Sequence, residues 1–265
     1  MSGPADDPWS GLGAFTSARI ALGRAGAALP TREVLSLALA HARARDAVHA
    51  PFDTQAMADR FAERGYETLL VKSAAVDRNV YLQRPDLGRR LSEESRLALN
   101  RRPKVEPDLV FVIADGLSSA AVHSHAAPLL AALRARIDEE GWSVGPVVLA
   151  SQARVALGDA VGESLGARMV VVLVGERPGL SSPDSLGAYL TLGPVVGCDD
   201  SQRNCVSNIR SGGLSYDGAA FKLLWLMREA FRRAATGVAL KDESDLGLAA
   251  LGSVGSLESL PPIRP

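Results

Sequence analysis

Polar side chains that could do chemistry follow the predicted strands of this chain. Asp115 follows the apolar run from Leu109 to Ala114, Glu176 comes soon after the run from Arg168 to Val174, and Cys205 lies ahead of the last predicted helix. Carboxylates and a thiol could act as acid, base or nucleophile, or could bind a ligand. Because open α/β sheets bind ligands beyond the carboxyl ends of their strands, we expect these side chains to share one crevice.

Each of these side chains also has a structural interpretation. Asp115 precedes a glycine, and Asp-Gly is a turn signal. Glu176 could pair with Arg177 or Arg154 at the rim of the sheet, where such pairs contribute little. Cys205 could be an ordinary buried small hydrophobe. Taken singly, these residues do not reveal a function.

The familiar nucleotide, zinc and hydrolase motifs are missing from the sequence. It contains no GxGxxG after a strand, no GxxxxGK[ST], no HExxH, no GxSxG and no HxE with CxxC. His123 and His125 stand two residues apart, which points them to different sides of a helix, and we expect both to be exposed. We therefore assign no catalytic and no metal-ligating residue.

The elements that must position the crevice alternate in type along the chain. Apolar runs predict strands at Leu109 to Ala114, Val144 to Ala150, Arg168 to Val174, Ala188 to Leu192 and Cys205 to Ile209. Amphipathic stretches predict helices at Ala120 to Glu140, Val155 to Leu165 and Tyr216 to Thr236. This alternation predicts an α/β fold with a doubly wound, mostly parallel sheet.

The chain is predicted to divide into three parts. Residues 1–104 form an N-terminal helical arm and mixed region, with a helix from Thr31 to Ala50 and an Arg-rich turn from Tyr81 to Arg90. Residues 105–240 form the α/β domain. Residues 241–265 are rich in Gly, Ser, Leu and Pro, which predicts a flexible tail.

Composition narrows the classes of partner and the compartment. The formal net charge of −1 gives no electrostatic case for nucleic acid. No apolar run reaches the roughly 18 residues needed to span a bilayer, and the N-terminus has no basic start or apolar core of a signal peptide. Two cysteines without CxxC spacing are consistent with a reducing compartment. The chain is thus expected to be cytoplasmic and to bind a small molecule or another protein.

Four longer strings carry a family resemblance. They are RPDLGRRL at 84–91, IADGLS at 113–118, VGERPGL at 174–180 and CVSNIRSGG at 205–213. Together they resemble the small (light) chain of ethanolamine ammonia-lyase, and the resemblance runs from about residue 17 to about residue 240.

The resemblance implies a Rossmann-like domain in one subunit of an adenosylcobalamin-dependent lyase that converts ethanolamine to acetaldehyde and ammonia by radical chemistry. In that family the large subunit holds the substrate and the catalytic residues, and the small subunit closes over the cobalamin at the interface. The chain would then be inactive alone, and it would lie in the cytoplasm, either free or inside a bacterial microcompartment.

Carried over position by position, the resemblance implies cofactor contacts at Val155, Glu176 and Cys205. Apolar faces of the corrinoid can contact Val155 and Cys205, but Ala156 and Leu157 follow Val155 where a more polar pair is expected; a contact from the Val155 backbone would remain in either case. Backbone groups of Gly116 to Ser118 are further candidates. Since no histidine stands in a DxHxxG setting, the cofactor is expected to bind base-on, with its own benzimidazole on cobalt.

The Arg-rich turn is expected to contact the large subunit or the arm, through Arg84, Arg89 and Arg90. Two other functions remain open. One is a stand-alone α/β crevice enzyme that uses Asp115, Glu176 and Cys205, although no histidine stands beside the thiol to activate it. The other is a scaffold subunit that keeps the interface without a cofactor role.

Overall fold

The fold is built on one sheet with helices on both faces. The computed structural model describes residues 9–16, 18–104 and 106–245. Within these residues the sheet has six strands in the order β1-β3-β2-β4-β5-β6. The strands are β1 (Thr68–Lys72), β2 (Leu109–Ala114), β3 (Val147–Ser151), β4 (Met169–Gly175), β5 (Leu186–Leu192) and β6 (Asn204–Ile209).

The described residues form eight α-helices. They are α1 (Thr31–His49), α2 (Thr54–Ala62), α3 (Arg78–Gln83), α4 (Pro85–Gly88), α5 (Glu93–Asn100), α6 (Ser119–Glu140), α7 (Leu157–Leu165) and α8 (Tyr216–Arg233). Helices α2, α6 and α8 contribute to the larger apolar core, and α5 and α7 contribute to the smaller core on the opposite face. No described helix is long and apolar enough to cross a membrane.

The sheet is mostly parallel, which confirms the predicted α/β class. Strands β1, β3, β2 and β4 pair in parallel, and every residue of β2 and β4 is buried. Helices cover both faces of these strands, so every side chain along them lies in a core. This is why the sequence of each strand is an unbroken apolar run. Strand β2 has the predicted bounds, whereas β3 begins at Val147 rather than Val144.

Strand β5 pairs antiparallel with both β4 and β6. The amino end of β5 therefore lies at the same edge of the sheet as the carboxyl ends of β4 and β6, with Leu186 opposite both Gly175 and Ile209. Strand β1 precedes the predicted domain boundary at residue 105 and yet pairs with β3. The division into domains stays a prediction, and most of the predicted tail, from residue 246, lies outside the described residues.

A buried ion pair fixes α7 to the segment that leads into β6. Arg203 and Asp159 form two parallel contacts, Nη1 to Oδ1 at 2.6 Å and Nη2 to Oδ2 at 2.8 Å, and both side chains are 2% exposed. Arg203 also donates to the Thr191 hydroxyl on β5 and to the Cys198 carbonyl. These bonds satisfy the guanidinium in a setting where an unpaired charge would be strongly unfavourable.

Asp159→Asn is therefore expected to lower the free energy of unfolding by about 3 kcal/mol, because it removes the bidentate partner of the buried Arg203 and leaves only the exposed Asp200, at 3.3 Å, as a counter-ion. Urea unfolding followed by circular dichroism measures the change. Glu93→Gln, which breaks the exposed pair with Arg96, is the matched control and should have little effect. Similar losses in the two variants would contradict this assignment.

Candidate functional site

Glu176 lies just beyond β4, at the edge where the ends of β4, β5 and β6 meet. Its Oε2 accepts hydrogen bonds from the Ser185 hydroxyl and from the Asn208 backbone N–H, the latter at 3.3 Å. A side chain at Gly187 would place its Cβ 2.9 Å from Oε1, so glycine there leaves room for the carboxylate. Within the described residues Oε1 accepts no hydrogen bond, and it is free to bind a donor from a ligand.

Val155 lies in the turn between β3 and α7, and the buried carboxylate of Asp115 holds this turn in place. Asp115 accepts hydrogen bonds from the backbone N–H groups of Gln152 and Ala153, each at 3.0 Å. Arg78 donates to the same carboxylate at 3.5 Å and to the Gly116 carbonyl at 2.8 Å. Desolvation raises the pKa of Asp115, and these bonds offset part of that rise. At 2% exposure the carboxylate cannot reach a substrate, so its role is structural.

Two neighbouring pockets open beside Val155. One, of about 420 Å³, is lined by Val155 and Glu176 together with Tyr81, Arg154 and Tyr189. The other, of about 450 Å³, shares Arg154, Val155 and Tyr189 with the first. The structure thus brings two of the three predicted contact residues to one pocket, and the Gly116 backbone, also predicted, lines it as well.

Cys205 differs from the prediction in its position. It is the second residue of β6, paired with Tyr189 of β5, and does not lie at a strand end. It is exposed, as is Ser207, whereas Val206 joins the larger core on the other face. Cys205 lines neither pocket and continues the same surface from Tyr189 outwards.

Desolvation by neighbouring atoms raises the pKa of the Cys205 thiol; a hydrogen bond from Tyr189 lowers it, and the negative charge of Glu176 raises it again. The net shift is upward, which keeps the thiol protonated near neutral pH. None of the histidines lines either pocket to act as an activating base.

The loops after β2 and β4 meet backbone to backbone beneath the site. Leu117 N–H donates to the Gly175 carbonyl at 2.8 Å, and Gly116 has φ +55°, a conformation that favours glycine. A Cβ on Gly175 would lie 2.0 Å from the Ser118 carbonyl oxygen. Both glycines are therefore needed for the contact that sets the position of Glu176.

Sequence reasoning missed several residues that shape this site: Tyr81, Ser185, Gly187 and Tyr189. Of these, only Gly187 and Tyr189 could have been found from the sequence, because residues two apart on a strand lie on the same face of the sheet. Sequence reasoning named Arg154 only as a possible partner of Glu176, and the described residues show no ion pair between Glu176 and Arg154 or Arg177.

The expected exposure of His123 and His125 was wrong. His123 is half-buried, and its Nε2 accepts the Asp53 backbone N–H at 3.2 Å. His125 is 4% exposed, because it packs beside Tyr216, whose hydroxyl lies 2.8 Å from Nδ1.

Fold and site together define a three-layer α/β protein with a crevice at the carboxyl edge of its sheet. The family described as "Ethanolamine ammonia-lyase light chain (EutC)" matches residues 6–241. The chain belongs to this family, which confirms the resemblance found in the sequence.

Close relatives bear the name ethanolamine ammonia-lyase small subunit. The relative from Pseudomonas fluorescens (strain SBW25) is 56% identical over 244 residues, covering 91% of this chain and 88% of the relative. Those from Ralstonia nicotianae and Azotobacter vinelandii are 55% and 56% identical, covering 93% and 95% of this chain and 92% and 93% of the relatives.

Gly175→Ala is expected to lower the free energy of unfolding by at least about 1–3 kcal/mol, because the new methyl group collides with the Ser118 carbonyl. Chemical unfolding provides the measurement. The control is Gly11→Ala, where nothing lies within 4 Å of the added carbon, and it should change stability by less than about 0.5 kcal/mol. If the two variants proved equally stable, the close approach of the loops would be refuted.

The alkylation of Cys205 by iodoacetamide is expected to have a pH midpoint above that of an ordinary cysteine. The rate is measured against pH in a Cys198→Ser background, so that a single thiol reacts. Glu176→Gln should lower the midpoint, because removing a negative charge makes the thiolate easier to form. Glu63→Gln changes an exposed residue after α2 and should leave the midpoint unchanged. If Glu176→Gln also left the midpoint unchanged, the electrostatic coupling between Glu176 and Cys205 would be contradicted.

Proposed function

We propose that this chain is the small subunit of an adenosylcobalamin-dependent ethanolamine ammonia-lyase, which converts ethanolamine to acetaldehyde and ammonia. In this proposal the chain forms one wall of the cobalamin site, at its interface with the catalytic large subunit. The observation that carries it is a pocket, on a member of this family, whose wall includes Val155 and the unpaired carboxylate oxygen of Glu176.

The residues present suit a large corrinoid. Helices α5 and α7 pack over β1, β2 and β4 on the second face of the sheet, and the Cys205 and Ser207 side chains of β6 are exposed on that face. A flat macrocycle with apolar faces and peripheral amides needs such an open surface with a few hydrogen-bonding groups at its edge. Glu176 Oε1 can accept an amide N–H, and Val155 and Tyr189 offer apolar contact.

When bound, adenosylcobalamin supplies radical chemistry through homolysis of its cobalt–carbon bond. The residues of this chain would bind and orient the cofactor and keep water from its edge: Glu176 through its free carboxylate oxygen, Val155 through apolar and backbone contact, and Cys205 with Tyr189 through surface contact. The proposal keeps the base-on state that the sequence predicts, since no histidine of this chain stands in a DxHxxG setting.

A partner subunit is supported by the exposed apolar side chains at the N-terminal end of the chain. Phe15 is 88% exposed, and Leu35 and Leu39 on α1 are 64% and 51% exposed. Such a surface is typical of a protein interface. We assign it, with the Arg-rich turn, to the large subunit, and place the complex in the cytoplasm, free or within a microcompartment, with no role for nucleic acid.

The stand-alone crevice enzyme is disfavoured by the site itself. Asp115 is buried and fully engaged in holding the turn before α7, and the pKa of the Cys205 thiol is raised. Of the three groups that such an enzyme would use, only Glu176 remains available. A scaffold subunit without a cofactor role would not need an unpaired carboxylate oxygen on Glu176. It would also not need a glycine at position 187 to make room for that oxygen.

Ethanolamine-dependent ammonia release is expected only when this chain is co-expressed with its large chain and adenosylcobalamin is added. Each chain alone, and the complex without cofactor, should be inactive. Turnover by this chain unaided would establish the crevice enzyme instead. A complex that forms but stays inactive with cofactor would favour the scaffold.

In the active complex, Glu176→Ala is expected to raise the apparent KM for adenosylcobalamin by about three- to tenfold, which is the contribution of one net hydrogen bond. The KM for ethanolamine should not change. Glu63→Ala serves as the matched control, because this exposed carboxylate lies outside both pockets. An unchanged cofactor KM in the Glu176 variant would remove this residue from the site.

A further inference from the structure

Arg154 carries a cationic group that has no acceptor in the described part of the chain. Its Nε is buried without a hydrogen-bond partner, and no described carboxylate pairs with the guanidinium. The guanidinium carbon lies 4.6 Å from the centre of the Tyr81 ring, which desolvates one side. The buried Nε cannot reach a ligand in the pocket, so the donors left for an outside acceptor are the two Nη groups, which have no hydrogen-bond partner among the described residues.

Neighbouring carboxylates do not supply that acceptor. Asp86 and Asp200 line the pocket next to Arg154, but Asp86 pairs with Arg84 at 2.8 Å and Asp200 pairs with Arg89 at 3.2 Å. The main chain of Arg154 is nevertheless fixed, since its N–H donates to the Gly88 carbonyl at 2.8 Å. The guanidinium is thus held at the wall shared by both pockets and is not a freely moving surface cation.

We infer that Arg154 binds the phosphodiester of the cofactor's nucleotide tail. The inference rests on the proposed function, because it takes cobalamin as the ligand. The amides around the corrin ring are neutral, whereas the phosphodiester carries a negative charge. A planar guanidinium matches two phosphate oxygens, and Tyr81 holds it ready for that contact.

The test compares two ligands that differ in this group. The co-expressed complex is titrated with cyanocobalamin and with dicyanocobinamide, which lacks the phosphodiester and the nucleotide, and binding is followed by the absorption change of the corrin. Arg154→Gln is expected to weaken cyanocobalamin binding about tenfold or more while changing cobinamide binding by less than about twofold. Arg154→Lys keeps the positive charge but cannot bind two phosphate oxygens at once. It should give a smaller loss of affinity than Arg154→Gln, and for cyanocobalamin alone.

The control is Arg168→Gln, which removes another arginine stacked on an aromatic ring, here Phe231 at 4.6 Å, outside both pockets. It should leave both affinities unchanged. Equal losses for the two ligands in the Arg154 variants, or no loss for cyanocobalamin, would overturn the inference and leave the proposed function standing. Failure of the wild-type complex to bind either ligand would overturn the proposed function, and the inference with it.

A second measurement does not depend on cobinamide affinity. The phosphodiester of bound cyanocobalamin gives one ³¹P resonance, and its chemical shift in the wild-type complex should differ from that in the Arg154→Gln complex. The same shift in both complexes would overturn the inference. Arg154→Lys provides the comparison if the Gln variant does not assemble.

Discussion

The site depends first on the buried carboxylate of Asp115. Its two oxygens accept the backbone N–H groups of Gln152 and Ala153, and Arg78 joins them to the loop after β2 and to the Val48 carbonyl at the end of α1. Burial raises the pKa of this carboxyl group, and the hydrogen bonds to its charged form oppose that rise. One side chain thereby fixes the turn that presents Arg154 and Val155, and a residue that looks catalytic in the sequence is structural.

The other half of the site depends on space and not on charge. Close backbone approach between Gly116 and Gly175 brings two loops together, and the missing side chain at Gly187 leaves room for Glu176. The antiparallel direction of β5 then places Tyr189 beside Cys205, on an open face of the sheet. Such a surface agrees with the proposed role of this chain as one wall of a shared cofactor site.

Much of the fold could be predicted because buried strands have a strong signal. The apolar runs at β2 and β4 gave nearly the observed bounds, and the α/β class followed from their alternation with helices. Partners in space could not be predicted. Nothing in the sequence shows that Tyr81 stacks on Arg154, or that Ser185 holds Glu176, since these contacts join segments far apart in the chain or across a loop. The burial of His125 was missed for the same reason.

Hydrogen exchange in the two-chain complex, with and without adenosylcobalamin, tests the central claim most directly. If this chain forms a wall of the cofactor site, cofactor should slow exchange in the turn before α7 and in the segment from Glu176 through β5, while α2 and α8 on the other face stay unchanged. Slowed exchange confined to the large subunit, with none in these two segments, would contradict the account.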